Sequence, residues 1–396
     1  MNGSNRLKVL QVITGLRPGG AELLLLNVAP RLVNMGWEVD VVCLREGQLA
    51  ADFEKLGIHA ICLDVSKGDW RAPWRLRKAI RSFKPHIIHG HLFESEVMTC
   101  LGTLDRLDIP LVFTRHGLDV FRRSFFYRLV NAVVTRRSRY VIAISDPIGK
   151  MCLNEKMPAD KILRVWNGVD TARFSMLKES ERLAVRARYN LDRCLVVGSV
   201  GRLSEEKGHY YLLEAWKKVM EVFPDARLLL IGDGPLRGRL ESLSQKWGID
   251  SRVRFLGIHI DDLPELLNCL DVFVLPSVSE GLGIALIEAM AVGCPVIASR
   301  VGGIPDLVSP EYGILVEPGD SVSLAESIIE LLRDLPRRQR MCSAARSRVE
   351  SDFNIDDMVK RLDSIYKSAI SGETLPADIR FSIEKINRSF NMTKNL

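Results

Sequence analysis

The sequence predicts two doubly wound α/β domains in tandem. The chain has 396 residues, which is more than one hydrophobic core usually serves. Its strand-like runs are almost continuously apolar and rich in valine and isoleucine, as is typical of strands buried on both faces of a parallel sheet. Helical patterns alternate with these runs, and that alternation favours a parallel sheet covered by helices.

The first domain is predicted to span residues 1–175. Its opening strand, at 7–14, leads through a glycine turn into an apolar segment with helical character that starts at Ala21. Further strand-like runs follow along this half of the chain, at residues 37–44, 59–65, 85–91, 110–117, 139–145 and 161–170. Because each run is short and strongly apolar, we expect all of them in one sheet.

The second domain is predicted to span residues 190–352, after a polar and basic stretch at 171–193 without strand character. Its strand-like runs are residues 195–203, 227–234, 252–258, 271–277, 294–299 and 313–320. Helical spacing recurs at 323–335 and 353–370. The polar tail at 371–396 breaks its own pattern, and we expect it to be loosely ordered.

The composition is that of a globular chain, with 47% hydrophobic and 26% charged residues. No run of 18 apolar residues and no signal-peptide layout is present, which predicts a cytoplasmic protein without a spanning helix. The eight cysteines are scattered without a C-x-x-C pair, as expected of reduced, buried thiols. Residues 1–175 carry 26 Lys and Arg against 17 Asp and Glu, a balance of +9, whereas the remainder carries 29 against 32, or −3. This asymmetry predicts an anionic partner for the first half.

Two glutamates flank a glycine-rich loop in the stretch PSVSEGLGIALIEAMA at 276–291. Glu280 is predicted just before a helix and Glu288 in its first turns, so both can border one pocket. The helix start offers unpaired N–H groups and a partial positive charge, and the glycines let an anion approach the backbone. A carboxylate beside such a site can accept hydrogen bonds from a vicinal diol. The alternative is that these acidic residues only offset the helix dipole.

Cationic and glycine-rich turns follow other strands. Arg202 and Lys207 stand in the run GRLSEEKG after the strand at 195–203, where both can reach an anion, although surface Arg and Lys are common. Gly19 and Gly20 follow the first strand and can cradle a phosphate or a sugar, with a plain tight turn as the alternative.

Three histidines, His89, His91 and His116, end strands of the first domain. Neutral histidine can hydrogen-bond a hydroxyl, but most such histidines are structural, and only His116 is retained as a candidate. A zinc site at His89 and His91 lacks further ligands at suitable spacing. The absence of a D-x-D motif gives no indication of a carboxylate-held divalent cation, so no cofactor is expected.

Together these motifs resemble glycosyltransferase family 4, the retaining enzymes with the GT-B fold. The resemblance spans residues 7 to about 370 and rests on E-x7-E at 280–288, G-R-L-x-x-E-K-G at 201–208, GDGP at 232–235, GGAE at 19–22, NGVD at 167–170 and GGIPDLV at 302–308. It implies two facing Rossmann-like domains with a cleft between them, of which the first binds the acceptor and the second the sugar nucleotide. It also implies that helix 353–370 crosses back to the first domain. Leu282 stands where the family commonly has Phe, and Asp306 where it commonly has Glu.

The resemblance also implies roles for the candidate residues. Arg202 and Lys207 look like the pair that binds the donor diphosphate, and Glu288 looks like the ribose ligand. Glu280 looks like the residue that orients the donor sugar, and His116 like the histidine that contacts it. The resemblance further implies that backbone groups cap the distal phosphate, namely those of Gly281, Leu282, Gly283 and Ile284. A loop of the first domain that contains Gly19 and Gly20 would cover the same phosphate.

The predicted function is therefore transfer of a sugar from a nucleoside diphosphate donor, with retained configuration and without a metal, to a glycan or lipid-linked acceptor. Two alternatives remain open at this point. One is a sugar-nucleotide epimerase or hydrolase on a similar scaffold, and the other is a non-catalytic nucleotide-binding partner. The nucleobase, the sugar and the acceptor are not encoded by any general rule.

The excess positive charge of the first half lies in two segments, 70–84 and 121–140, each with six basic residues, no acidic residue and several aromatics. Basic amphipathic helices of this kind are typical of peripheral contacts with an anionic membrane surface. The alternative is an ordinary layer helix with a solvated basic face. Nucleic acid is not expected as a partner, because no nucleic-acid-binding motif is present.

Overall fold

The computed structural model describes residues 6–117 and 125–381, and the chain divides into two compact units. The first unit ends at Asn167 and resumes at Ile355, whereas the second runs from Gly168 to Asn354. The predicted pair of doubly wound α/β domains is confirmed. The second unit begins at Gly168 and so includes the stretch at 171–193, which contains a helix.

The first unit is built on a parallel sheet of seven strands in the order β3-β2-β1-β4-β5-β6-β7. The strands are β1 (Lys8–Gly15), β2 (Glu38–Arg45), β3 (Ala60–Cys62), β4 (Ile87–His91), β5 (Leu111–Arg115), β6 (Ser138–Ala143) and β7 (Ile162–Arg164). The helices before the crossing into the second unit are α1 (Gly20–Asn34), α2 (Ala50–Lys55), α3 (Ala72–Phe83), α4 (Phe93–Gly102), α5 (Phe125–Arg137) and α6 (Asp146–Asn154). The strand order reverses between β1 and β4, where the carboxyl ends of parallel strands form a ligand-binding crevice in folds of this type.

The second unit has a parallel sheet of six strands in the order β10-β9-β8-β11-β12-β13. Its helices before the return to the first unit are α7 (Glu179–Arg188), α8 (His209–Val222), α9 (Arg237–Lys246), α10 (Leu263–Asn268), α11 (Ile284–Ala291), α12 (Ile304–Leu307), α13 (Ser321–Arg333) and α14 (Leu335–Asp352). Its strands are β8 (Val196–Val200), β9 (Arg227–Ile231), β10 (Val253–Gly257), β11 (Val272–Leu275), β12 (Val296–Ser299) and β13 (Gly313–Val316). Here the order reverses between β8 and β11.

Hydrophobic periodicity accounts for most of these elements. In α8 the buried apolar residues recur at helical spacing and pack on the sheet, namely Leu212, Leu213, Ala215, Trp216 and Val219. Helix α14 was not predicted, because its buried apolar stripe is narrow. That stripe consists of Met341, Ala345 and Val349 at four-residue intervals, within an arginine-rich sequence. Within the described ranges, none of the helices is long and apolar enough to cross a membrane.

The chain returns to the first unit through α15 (Ile355–Ser371). This helix contacts α1, β4 and β5, so the predicted crossover helix packs in the first unit. The prediction of a loosely ordered tail is wrong for residues 375–381. The Arg164 amide donates to the Ile379 carbonyl at 2.8 Å, the Phe381 amide donates to the Ile162 carbonyl at 3.2 Å, and Ile379 is buried. The backbone of this segment thus satisfies the free edge of β7, and residues 382–396 lie outside the described part of the chain.

Candidate active site

Loops that follow β8 and β11 are joined at the carboxyl edge of the second sheet. The amides of Val278 and Ser279 donate to the Glu206 carbonyl at 2.9 and 3.3 Å. Gly208 adopts φ +66°, and a Cβ at this position would lie 2.0 Å from the Pro276 carbonyl oxygen. Glycine is therefore required where the two loops approach each other, and this contact holds the residues around 207 and 280 together.

The two loops bring a cation and a carboxylate into direct contact. Lys207 Nζ donates to Glu280 Oε2 at 2.6 Å, and the Ser277 hydroxyl donates to the same oxygen at 3.2 Å. Both charged side chains are mostly buried, with 25% of Lys207 and 12% of Glu280 exposed. A contact of this kind is stronger than an ion pair on the open surface, where solvent screens the charges.

The backbone from Gly281 to Ile284 leads directly into α11. Gly283 lies in the left-handed region at φ +92° and forms the N-cap of the helix, so the first turn of α11 directs its N–H groups toward the loop. Gly303 donates from its amide to the Gly281 carbonyl at 3.1 Å. A Cβ on Gly302, which has φ +54°, would lie 1.7 Å from the Glu280 carbonyl oxygen. The turn at 302–303 therefore supports the loop from behind.

Glu288 lies in the second turn of α11 and does not share the contact between Lys207 and Glu280. Its side chain is partly buried, and burial raises its pKa to about 7, an effect that the nearby Arg173 guanidinium partly opposes. Arg173 also donates to the Ile260 carbonyl. Glu288 is thus a carboxyl group whose charge near neutral pH is set by its surroundings.

Arg202 lies in the same loop as Lys207, but its side chain is exposed. Burial tends to raise the pKa of Glu206. The hydrogen bond from Ser204 and the charges of Lys207 and Arg202 have the larger combined effect, so the pKa is lowered overall. The two cations therefore act on one neighbouring group. An exposed Arg and a partly buried Lys at one strand end form a basic cluster that can bind an oxyanion.

In the first unit, the candidate glycines lie after β1 at the carboxyl edge of the sheet. Gly19 is the N-cap of α1 in an extended conformation, and Gly20 is the first residue of that helix. A Cβ on Gly19 would lie 2.6 Å from Oε2 of Glu22. The carboxyl group of Glu22 thus lies beside the helix start, and its pKa is raised chiefly by burial.

The three histidines of the first unit belong to one hydrogen-bonded group, in which Tyr366 and Gln11 link His89 to His91. His91 Nδ1 and His116 Nε2 are 3.2 Å apart, and the rings of His89 and His91 lie with centroids 4.1 Å apart. Burial lowers the pKa of His89 to about 3 and that of His116 to about 4, and it lowers the pKa of His91 well below its usual value. All three are therefore neutral imidazoles at neutral pH, which fits hydrogen bonding to hydroxyl groups better than binding of an anion.

Several residues of these sites were not candidates in the sequence. They are Ser277, Arg173 and Gly302 in the second unit, and Gln11 and Tyr366 in the first. A serine, a strand glutamine and a helix tyrosine carry no motif of their own. Gly302 had a signal, since the GGIPDLV turn was recognised, but its steric role depends on a contact with a loop 22 residues earlier in the chain.

Comparison with known proteins agrees with this architecture. Residues 18–173 match the family described as Glycosyltransferase Family 4, and residues 184–348 match Glycosyl transferases group 1. The fold resembles that of Anabaena Alr3699/HepE in complex with UDP and glucose, with a TM-score of 0.82 at 22% identity over 91% of this chain and 100% of that one.

Two relatives illustrate the sequence similarity. A GDP-mannose-dependent monoacylated alpha-(1-6)-phosphatidylinositol monomannoside mannosyltransferase of Corynebacterium glutamicum is 36% identical over 51% of this chain, and the match spans only 55% of that protein. An uncharacterised glycosyltransferase of Methanocaldococcus jannaschii is 33% identical over 89% of this chain and 95% of its own length. With both halves matched and near full-length similarity, the chain belongs to the group 1 glycosyltransferases.

Proposed function

We propose that this glycosyltransferase moves a sugar from a nucleoside diphosphate donor to a glycan or lipid-linked acceptor, with retention of configuration and without a metal ion. The contact between Lys207 and Glu280 carries the proposal. It unites a cation suited to a phosphate and a carboxylate suited to sugar hydroxyls, with 2.6 Å between the charged atoms. The mannosyltransferase relative, whose name specifies GDP-mannose and a monoacylated phosphatidylinositol monomannoside, supports the donor and acceptor classes.

In this proposal the donor diphosphate binds to Lys207, Arg202 and the backbone amides of residues 281–284. Cleavage of the anomeric C–O bond gives an oxocarbenium-like sugar and places negative charge on the departing phosphate. Fixed cations and the start of α11 stabilise that charge without reorganisation. The acceptor hydroxyl attacks from the face that the phosphate leaves, and the leaving phosphate oxygen takes the hydroxyl proton.

The remaining candidates bind the other parts of the donor. Glu288 accepts hydrogen bonds from the two ribose hydroxyls, Glu280 orients the sugar, and His116 hydrogen-bonds a sugar hydroxyl. Gly19 and Gly20 leave room for the phosphate beside α1. The ribose role requires the ionised form of Glu288, because an ionised carboxylate accepts hydrogen bonds from both hydroxyls and donates none.

A labelled-donor assay tests the proposal. A panel of UDP- and GDP-sugars is offered with lipid extracts and polysaccharides as acceptors, in buffer with and without EDTA. We expect acceptor-dependent transfer that EDTA leaves unchanged and that Glu280→Gln lowers by about a hundredfold. Donor consumption without an acceptor would instead indicate a hydrolase or epimerase, and binding without turnover would indicate a non-catalytic protein.

We also propose a peripheral contact between the first unit and an anionic membrane, in a form that differs from the amphipathic-helix prediction. The apolar stripe of α3 is buried in the unit, at Leu76, Ala79, Ile80 and Phe83. This stripe therefore belongs to an ordinary layer helix. Two tryptophans nevertheless remain exposed, Trp70 at 77% and Trp74 at 64%.

The exposed tryptophans belong to a larger apolar surface. The Arg77 guanidinium lies 5.0 Å from the centre of the Trp74 ring and donates to the carbonyls of Leu101 and Gly102 at 3.5 and 3.4 Å. This links Trp74 to the end of α4, after which Leu104 and Leu107 are exposed. We call Trp70, Trp74, Leu101, Leu104 and Leu107 the tryptophan patch.

Helix α5 adds a second exposed face. Among the residues of this helix whose side chains the structure describes, the exposed ones share one side and are Arg128, Leu129, Ala132, Val133 and Arg136. Residues 121–124 of the predicted basic segment lie outside the described residues. On α5 the apolar side chains are bordered by Arg128 and Arg136, whereas arginines beside the tryptophan patch are paired with aspartates. The α5 face, in the half of the chain with a charge balance of +9, fits a surface of anionic headgroups.

Vesicle flotation tests this contact. We expect the protein to float with vesicles that contain phosphatidylglycerol and not with pure phosphatidylcholine, and Trp70→Ala with Trp74→Ala to abolish flotation. The matched control replaces two exposed apolar residues of the second unit, Leu183 and Val322, and leaves flotation intact. Equal binding to neutral vesicles, or none to either, would contradict the proposal.

A further inference from the structure

Six side chains of the first unit form one continuous chain of hydrogen bonds that starts in α15. They are Tyr366 on α15, Gln11 on β1, His89 and His91 on β4, Thr114 on β5, and His116 just after β5. The first five are buried, whereas the His116 side chain is partly exposed. This series of hydrogen bonds therefore connects α15 to His116 at the carboxyl edge of the sheet.

The orientation of the Gln11 amide, with Nε2 facing Tyr366 and Oε1 facing His91, is the starting point for assigning the protons. Gln11 Nε2 can only donate, and it donates to the Tyr366 hydroxyl oxygen at 3.1 Å. We assign the single Tyr366 proton to the contact with His89 Nδ1, at 2.6 Å. His89 then carries its proton on Nε2, which donates to the Thr114 hydroxyl at 2.7 Å.

The second branch reaches His116. Gln11 Oε1 can only accept, so His91 Nε2, at 2.9 Å, carries a proton and donates to it. In a neutral imidazole this leaves His91 Nδ1 as an acceptor. His116 Nε2, at 3.2 Å from that atom, must then be the donor. The same reasoning leaves Nδ1 of His116 with a lone pair.

Burial keeps the histidines neutral, as the assignment requires. The pKa values of His89, His91 and His116 are all lowered, with burial as the largest cause. The buried carboxyl of Glu96 opposes the effect at His116, but Glu96 is itself engaged with the buried guanidinium of Arg115 at 3.5 Å. The pKa of His116 remains at about 4, so its ring is neutral at neutral pH. A neutral ring carries its single proton on either Nδ1 or Nε2.

We propose that Tyr366 is a positioning residue that acts through Gln11 and His91 to hold His116 as its Nε2–H tautomer, so that Nδ1 accepts a hydrogen bond from a hydroxyl of the transferred sugar. The inference rests on the proposed role of His116 in sugar transfer. A fixed acceptor selects for a sugar that carries a free hydroxyl at this position. The opposite tautomer would present an N–H group, which can only donate, so the same sugar hydroxyl would have to accept the hydrogen bond and direct its own proton elsewhere.

Nitrogen-15 NMR of the histidine side chains tests the assignment directly. In the wild-type protein we expect His89, His91 and His116 to be protonated on Nε2, with the His116 signal identified by its loss in His116→Gln. Tyr366→Phe removes both the acceptor for Gln11 Nε2 and the donor to His89. The side-chain amide of Gln11 can then rotate by about 180° and exchange its donor and acceptor positions, so we expect mixed tautomers at His89 and His116.

Kinetics provide the second readout. We expect Tyr366→Phe to lower kcat by about three- to ten-fold, the value of one hydrogen bond, with little change in KM for the donor. The matched control is Tyr140→Phe, which removes another tyrosine hydroxyl that contacts α15, at 3.1 Å from Ser368 Oγ. That variant should leave both the tautomers and kcat unchanged.

Each failure has its own signature. A wild-type His116 protonated on Nδ1, or a Tyr366→Phe protein with unchanged tautomers, overturns the inference. The wild-type measurement does not depend on the Tyr366→Phe protein, so it decides the tautomer even if that variant does not fold. If His116→Gln keeps full transfer activity, the proposed role of His116 fails instead, whatever the tautomers are.

Discussion

Lys207 Nζ lies 2.6 Å from Glu280 Oε2, although 73 residues separate the two in the chain. The contact exists because a loop after β8 and a loop after β11 share hydrogen bonds at Glu206 and a close approach at Gly208. It holds a cation and a carboxylate in fixed positions before any ligand arrives. A phosphate that binds to Lys207 must share or replace this contact, which makes the two residues energetically coupled.

Removal of the cation should weaken binding of the nucleotide. We expect Lys207→Ala to raise the Kd for a nucleoside diphosphate by about 10- to 100-fold, as for the loss of one charge-assisted hydrogen bond to phosphate. Isothermal titration calorimetry with UDP and GDP measures the change. The control is Lys218→Ala, which breaks a surface ion pair with Glu326 at 3.2 Å and should leave Kd unchanged. Equal Kd values for Lys207→Ala and wild type would contradict the diphosphate role.

Removal of the carboxylate charge should separate turnover from binding. Glu280→Gln keeps the shape of the side chain but frees Lys207 from its ion pair. We expect kcat to fall by about a hundredfold, which is typical for loss of one preorganised electrostatic contact. The Kd of the nucleoside diphosphate should stay the same or decrease, because Lys207 is then free to bind phosphate. Initial rates and calorimetry on one preparation measure both. A parallel loss of binding and turnover would argue against this division of roles.

The sequence predicted both sheets because their buried strands are short, apolar and separated by helices. Residue pairs such as Glu280 and Glu288 were predicted from spacing and resemblance, and the structure adds that they occupy different environments. Glu280 pairs with Lys207, whereas Glu288 lies near Arg173. That difference depends on which loops meet in three dimensions, and local spacing does not contain this information.

The histidine network and the tail show the same limit. His89 and His91 were set aside as structural, since nothing in β4 reveals that Tyr366, 277 residues away from His89, donates to it. The segment at 375–381 lacks a strong apolar pattern, yet its amides and carbonyls pair with β7. Long-range pairing of this kind depends on an unsatisfied strand edge, which local sequence patterns do not reveal.

Donor binding should depend on pH through Glu288. Burial raises the pKa of this carboxyl from its ordinary 4.5 to about 7, and only the ionised form accepts both ribose hydroxyls without donating a proton. The donor affinity should therefore fall as pH decreases below about 7, and binding near that pH should release protons. Calorimetry in two buffers with different ionisation enthalpies measures the release. Glu288→Gln should bind more weakly and without proton release, and an unchanged pH profile in this variant would contradict the assignment.

The same carboxyl should affect the stability of the unliganded protein with the opposite sign. The folded state holds the Glu288 proton more tightly than the unfolded state, so the contribution is fully present below about pH 4.5 and is lost as pH rises through about 7. Thermal unfolding of wild type and Glu288→Gln across this range measures the difference. We expect Tm of the variant to gain on wild type as pH rises, and a constant difference would contradict the raised pKa.

Steric support behind the Glu280 loop should be essential for activity. In Gly302→Ala the new Cβ would lie 1.7 Å from the Glu280 carbonyl oxygen, and the residue would also have to keep φ +54°. The backbone contact cannot relax by rotation of a side chain, so the loop must move and take the carboxylate with it.

Gly248→Ala is a matched control, since Gly248 has φ +69° but its Cβ would meet nothing within 4 Å. The control should lose only the cost of a left-handed alanine, about 1 kcal/mol of unfolding free energy, and should keep its kcat. Gly302→Ala should lose more stability than the control and most of its turnover, as measured by denaturant unfolding and initial rates. Equal stability and turnover in the two variants would show that the 302–303 turn does not position Glu280.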